Sequence, residues 1–136
     1  MELQVRIQSP DSNFIAEGLF GSDSDSLERG KTEKAVVDGV TLRFEGVGRQ
    51  FSASVDTQTT TLILEMAISF GRDVALPIVV SVLSNYIYDK LKDRKAESIK
   101  IGNTYIKINY MQIINQQIYQ TIINEASQQK REDTKP

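Results

Sequence analysis

The sequence predicts an α+β fold in which antiparallel strands pack against apolar helices and a C-terminal amphipathic helix completes the domain. Three observations support this prediction: an alternating apolar segment at the N-terminus, two segments with the pattern of β-hairpins, and apolar residues at helical spacing between and after them. The chain has 136 residues, the length of one domain. We expect the domain to span residues 1–128 and residues 129–136 to form a disordered polar tail.

The first two predicted elements are a strand and a short helix. The strand follows from three alternating apolar residues, Leu3, Val5 and Ile7. Ser9 followed by Pro10 has the order of a helix cap and a first helical residue, and Gly18 or Gly21 would end the helix. The buried residues of this helix are predicted to be Phe14, Ile15 and Leu19.

A polar stretch at residues 21–34 predicts an exposed loop before the first hairpin. Two alternating segments predict the strands of that hairpin, Val40, Leu42 and Phe44 in the first and Phe51, Ala53 and Val55 in the second. Residues 46–50 lie between them and have the length and glycine content of a hairpin loop.

From Thr57 the apolar residues recur at spacings of three and four, which predicts a helix. Its buried face would consist of Leu62, Ile63, Met66, Ala67 and Phe70. Pro77 disfavours helical geometry at the preceding residue, so a second helix is expected to begin near Leu76 or Pro77 and to run to Leu91. One long helix with a kink is the alternative.

The clearest hairpin signal lies at residues 97–109, where alternating segments flank the two-residue turn Gly102-Asn103. The predicted register consists of three residue pairs: Ile101 with Thr104, Ile99 with Ile106, and Glu97 with Ile108. Directly opposed residues share a face of a sheet, so the four isoleucines of this hairpin should point to one side. Lys100, Tyr105 and Lys107 should point to the other.

The last predicted element is an amphipathic helix whose apolar face would consist of Met111, Ile114, Ile118, Tyr119, Ile122 and Ala126. Six uncharged polar residues on its other face are the candidate partner-binding residues: Gln112, Gln116, Gln117, Gln120, Thr121 and Asn124. Between Ile101 and Asn124 the only charged residue is Lys107. An amide face can bind a partner without desolvating charge, and the centres of interfaces are depleted of charged residues. Compositional drift is the alternative explanation.

Composition and spacing argue against most kinds of catalytic and ligand site. The chain contains no His and no Cys, so it cannot build Ser–His or Cys–His nucleophile pairs or a thiolate metal site. The acidic residues Asp23, Asp25 and Glu28 do not have the spacing of a calcium loop. The segment Gly46-Val47-Gly48 lacks the third glycine and the following helix of a phosphate loop. We therefore expect no catalytic, metal-binding or cofactor-binding residues and no enzyme.

Charge and hydropathy indicate the kind of partner and location. The net charge is −2, which gives no basic field for nucleic acid, and the cations of residues 90–95 lie where they stabilise a helix end. The apolar stretch between Asp73 and Asp89 has 15 positions, fewer than the roughly 20 that a bilayer requires. The N-terminus has no signal-peptide core, so the cytoplasm is the default expectation. The expected partner is another protein or a second copy of the chain, with no small-molecule substrate.

The order of the later elements resembles a known family. Two segments show it, the helix end Tyr88-Asp89-Lys90-Leu91-Lys92 and the hairpin Ser98-Ile99-Lys100-Ile101-Gly102-Asn103-Thr104-Tyr105-Ile106-Lys107-Ile108. With the amphipathic helix that follows, residues 57–126 resemble the C-terminal half of small bacterial accessory proteins of the effector-associated constant component type. The resemblance implies a non-enzymatic adaptor of bacterial conflict or defence systems, although the loop at 21–34 and the Gln-rich last helix depart from the pattern.

The predicted function is therefore a non-enzymatic protein–protein interaction module, a bacterial adaptor or regulatory accessory protein. Self-association would use the helix that begins near Pro77 or the helix face opposite Ile118. The alternatives are a phage- or plasmid-encoded inhibitor or immunity protein, and a small membrane-associated protein.

Overall fold

Six antiparallel strands form one sheet, with three α-helices on one of its faces, in the residues that the computed structural model describes, 1–51 and 60–133. The strands are β1 (Glu2–Gln8), β2 (Glu33–Val37), β3 (Val40–Phe51), β4 (Thr60–Phe70), β5 (Ser98–Ile101) and β6 (Thr104–Lys107). The helices are α1 (Ser12–Phe20), α2 (Leu76–Leu91) and α3 (Ile114–Asp133), and short 3₁₀ helices occupy Ser24–Ser26 and Met111–Ile113. The predicted α+β class is confirmed.

The strand order across the sheet is β2-β3-β4-β1-β5-β6. β1 pairs with β4 on one side and with β5 on the other, so the C-terminal hairpin belongs to the same sheet as the N-terminal strands. Alternate residues of each strand point to opposite faces. One face is apolar and forms the core with the helices, whereas the other face is largely polar and exposed. β2 and β6 are the two edges.

The C-terminal hairpin has the predicted register. The turn residue Gly102 has a φ of 59°, a conformation that suits glycine. The main-chain N–H of Ile108 donates to the carbonyl of Glu97 at 3.0 Å. The strand register supplies the other two predicted pairs, Ile101 with Thr104 and Ile99 with Ile106.

Residues 60–70 form a central strand, β4, which corrects the helix predicted from Thr57. Apolar residues also occur here at a spacing of two, and their side chains face the core: Leu64, Met66, Ile68 and Phe70. Ala67 lies on the opposite face and is buried, because its cross-strand neighbours Gln4 and Arg43 have long side chains. Two apolar patterns therefore overlap in this segment, and pairing with β1 and β3 selects the strand. Thr57 itself lies outside the described residues.

β3 continues through residues 46–50, where the sequence predicted a hairpin loop. A bulge between Phe44 and Gly46 bends the strand, and Gly46 has a φ of 138°. The hairpin partner of β3 is β2, across the turn Asp38-Gly39, and β2 was not predicted from the sequence. The second predicted strand lies outside the described residues from Ser52 onward.

The predicted helix positions are partly correct. α1 begins at Ser12, later than predicted, because the Ser9 hydroxyl accepts from the Asp11 N–H at 2.9 Å and forms a turn before the helix. α1 ends at Gly21, one of the two glycines predicted to end it. Phe14 was predicted to be buried in this helix but is 55% exposed. α2 begins at Leu76 as predicted. α3 extends to Asp133, so residues 129–133 are helical where the tail was predicted.

Candidate functional site

An open groove of about 570 Å³ lies between the edge strand β6 and helix α3. We call it the amide groove, and its lining consists of Tyr105, Ile106, Lys107, Ile113, Gln116, Gln117, Gln120 and Thr121. Four of the six candidate partner-binding residues therefore line one groove. The other two, Gln112 in the preceding 3₁₀ helix and Asn124 further along α3, are exposed outside it.

The periodicity of α3 explains why its amide side chains face the groove. Ile114, Ile118 and Ile122 recur every four residues and are fully buried, together with Ala126. This stripe binds α3 to the sheet and to α2, so the residues between the stripe positions face outward. Gln116 and Gln120 are consequently exposed, one turn apart, above the edge of the sheet.

β6 contributes a main-chain edge to the other wall of the groove. In an antiparallel pair, residues that exchange hydrogen bonds with the neighbouring strand alternate with residues whose N–H and C=O point away. The Ile108 to Glu97 hydrogen bond sets this alternation, so Thr104 and Ile106 bond to β5. The N–H and C=O groups of Tyr105 and Lys107 therefore point away from β5, outward from the edge of the sheet.

The groove offers hydrogen-bonding groups and very little charge. The Oε1 atom of Gln117 is buried and has no hydrogen-bond partner among the described residues. Lys107 is the only charged residue in the lining, and no ion pair involves it within the described parts of the chain. Tyr105 and Ile113 are 62% and 48% exposed and add apolar surface at the rim. Such a groove suits a polypeptide that supplies main-chain and amide groups of its own.

A buried carboxylate fixes the far end of the β5–β6 hairpin to α3. Glu125 is 8% exposed and accepts from the Asn103 N–H at 3.1 Å and from the Thr104 hydroxyl at 2.6 Å. A Cβ atom at Gly102 would lie 2.6 Å from the carboxylate oxygen, so only glycine fits beneath it. Glu125 was not predicted from the sequence, because a glutamate near the end of an amphipathic helix has the pattern of a solvent-exposed charge.

The buried part of α2 does not offer an interface. Val80 and Leu83 are fully buried within the chain, so self-association through α2 would have to use its outer stripe. On that stripe Ile78 and Val82 are 69% and 41% exposed.

The exposed face of the sheet carries ion pairs on the side away from the groove. Arg43 donates to Glu2 and to Glu45, each at 2.7 Å. The hydrogen bond from Arg43 holds the pKa of the Glu2 carboxyl below its usual value. Arg6 pairs with Glu65 at 3.2 Å and lines a smaller cleft of about 230 Å³ beside the β3 bulge.

Most of the cations at the end of α2 have partners within the chain. Lys92 pairs with Asp89 at 3.0 Å, and the hydrogen bond it donates lowers the pKa of that carboxyl. Lys90 lies 5.2 Å from the centre of the Tyr86 ring, and the Arg94 guanidinium lies 4.9 Å from the centre of the Phe14 ring. These contacts favour a structural role for the basic segment.

None of the helices in the described residues has both the length and the hydropathy that crossing a bilayer demands. Within the same residues, no three or more acidic, His or Cys side chains are grouped so that they could hold a metal ion.

The chain matches no protein-family model, no curated protein and no solved structure. The family resemblance of residues 57–126 stays a prediction.

Proposed function

We propose that this protein is a non-enzymatic protein–protein interaction module, an adaptor or regulatory accessory protein of the bacterial cytoplasm, and that its partner binds in the amide groove. The observation that supports this proposal most directly is the combination of an uncharged amide wall with a strand edge that pairs with no other strand in the described residues. Natural proteins usually protect such edges with charge, bulges or a covering segment. At β6, as far as the described residues extend, this protection consists of Lys107 alone.

The chemistry of the groove favours binding over catalysis. Among the described residues its lining contains one amine and one phenol but no carboxylate, so these residues do not supply the acid–base pair that most hydrolytic mechanisms use. Amide and main-chain groups exchange hydrogen bonds with another polypeptide at low desolvation cost. The resemblance to bacterial accessory proteins agrees with this function.

Photo-crosslinking in the native host tests the proposal. A photo-reactive amino acid placed at Gln120 lies in the groove, and the same amino acid placed at Glu33 lies on the exposed opposite edge of the sheet. We expect a discrete protein adduct from position 120 and none from position 33. Substitution Gln116→Glu, which places a charge in the groove, should reduce the adduct from position 120. Identical products from both positions, or none from position 120, would contradict the proposal.

A further inference from the structure

We infer that the occupant of the amide groove is a second copy of this chain, which adds its own β6 antiparallel to β6 about a two-fold axis at Ile106. This inference rests on the proposed function, because it specifies the partner of the same groove. Two sheets would then join edge to edge, and the two copies of α3 would face each other across the axis.

The uncharged wall of the groove is the first reason to prefer a second copy. A two-fold interface brings each surface patch against its own copy. Charges of one sign repel their own copies across such an axis, whereas an amide side chain both donates and accepts hydrogen bonds. Gln116, Gln117 and Gln120 can therefore pair with their counterparts.

The register of β6 is the second reason, because it selects one axis. The outward-facing residues Tyr105 and Lys107 must oppose outward-facing residues of the other copy. An axis at Lys107 would place two lysines opposite each other, and an axis at Tyr105 would form only one hydrogen-bonded pair before the turn interrupts the strand. An axis at Ile106 pairs Tyr105 with Lys107 twice and forms four main-chain hydrogen bonds.

The same axis gives the single charge of the groove a neighbour. Directly opposed residues in an antiparallel pair share a face of the sheet. The ammonium group of Lys107 would therefore lie beside the aromatic ring of the other copy's Tyr105, which is an attractive contact. In the isolated chain Tyr105 is 62% exposed.

Analytical ultracentrifugation of the full chain between about 1 and 500 µM is the first test, since that range covers moderate dimer affinities. Tyr105→Pro removes an outward-facing N–H and leaves the hydrogen bonds between β5 and β6 intact. We expect the dimer dissociation constant to rise about tenfold or more, because two symmetry-related hydrogen bonds are lost. The control is Ala35→Pro on the opposite edge: the hydrogen bond from Phe44 N–H to the Thr32 carbonyl sets the alternation of β2, so the N–H of Ala35 points away from β3. This variant should leave the dimer unchanged.

Disulfide trapping tests the register without a proline substitution. The chain has no cysteine, so Tyr105→Cys and Lys107→Cys each introduce one thiol. We expect a mixture of the two variants to form a disulfide-linked dimer, while either variant alone forms far less, because position 105 opposes position 107.

The outcomes separate this inference from the proposed function. The inference that a second copy occupies the groove is wrong if the chain stays monomeric up to about 500 µM. It is also wrong if the chain forms a dimer that Tyr105→Pro does not weaken and that the introduced cysteines do not trap. A monomer that still crosslinks to another protein from position 120 leaves the proposed function standing. If the chain forms no such dimer and position 120 gives no protein adduct, both the inference of a second copy and the proposed function are wrong.

Discussion

The two edges of the sheet differ in charge, regularity and surroundings. β2 exposes Glu33 and Lys34, and its register with β3 shifts between Ala35 and Val37. β6 pairs with β5 without a shift, and Lys107 is its only charged residue. Charges and bulges are the features that prevent edge strands from pairing with other chains. The sheet therefore has one protected edge and one edge that is suited to pairing.

The two edges are also held in place by different means. At the β2 edge the turn residue Gly39 has a φ of 84°, and its carbonyl accepts from the Gly71 N–H at 2.8 Å. At the β6 edge the side chain of Glu125 reaches from α3 and binds the turn directly. An edge that receives another strand needs a fixed position before binding, because ordering it afterwards would cost affinity. The Glu125 contact supplies this order at β6.

The largest expected effect comes from alanine at the two turn glycines. Gly102→Ala places a Cβ atom 2.6 Å from the Glu125 carboxylate, and Gly39→Ala places one 2.6 Å from the Val74 side chain. Both residues have positive φ, which costs a non-glycine residue about 1–2 kcal/mol. Gly102→Ala also displaces two hydrogen bonds, so we expect a loss of about 3 kcal/mol, against about 2 kcal/mol for Gly39→Ala.

Urea denaturation measures both losses, with the exposed Gly48 as a control, since its Cβ would meet open space. Val74→Ala should recover part of the loss at Gly39. Glu125→Ala should not recover the loss at Gly102, because it removes the contact that holds the hairpin. Equal stability of wild type and Gly102→Ala would show that Glu125 does not hold the turn.

The next largest effect is expected from Glu125 itself. Glu125→Ala leaves the Asn103 N–H and the Thr104 hydroxyl without their acceptor, which should cost about 2 kcal/mol. Glu125→Gln retains one acceptor oxygen and should cost less. Amide hydrogen exchange of β6 would show whether the loss is local to this edge, since local opening exposes strand amides selectively. Unchanged protection in Glu125→Ala would argue that the hairpin is rigid without α3.

Local sequence patterns predicted the β6 hairpin but not its position at an edge. The Gly102-Asn103 turn determines the register of its own two strands, and the four-residue period of α3 identified the amide side chains. The order of strands depends on pairing between β1 and β5, two strands that lie far apart in the chain. The spacing of residues within one short segment does not determine that pairing. The position of β6 at the edge of the sheet, beside the groove, was therefore not predicted.

The wrong prediction at β4 and the missing prediction at β2 have the same physical cause, since both strands depend on neighbours outside the local sequence. Helical and strand spacing are both present in residues 60–70, and the choice depends on neighbours on both sides. β2 was missed although Asp38-Gly39 is a frequent two-residue turn, because the polar segment before it has the composition of a loop. The exposed charges of β2 protect this edge of the sheet. The same charges interrupt the alternation of apolar residues from which a strand is predicted.

Acid should weaken the central part of the sheet, where Glu2 of β1 pairs with Arg43 of β3. The pKa of Glu2 is lowered in the folded protein by the hydrogen bond from Arg43. Its contribution to stability is therefore present above the ordinary glutamate range, near pH 4.3, and is lost as pH falls through the lower folded pKa. We expect the urea midpoint to fall between about pH 5 and pH 3, and Glu2→Gln to flatten this part of the profile. Lys107→Gln, on the edge strand β6, should reproduce the wild-type profile.

The smallest expected effect separates the two devices that protect β2. Glu33→Gln with Lys34→Gln removes the charges of that edge but retains the shift in register beside Ala35. A bulge twists the strand and breaks the regular spacing of its outward-facing groups, so the neutral edge still cannot continue the sheet. We expect the double variant to have the same mass by light scattering as the wild type at every concentration. Larger assemblies would show that charge alone closes this edge, and the contrast with β6 would then depend on only two side chains.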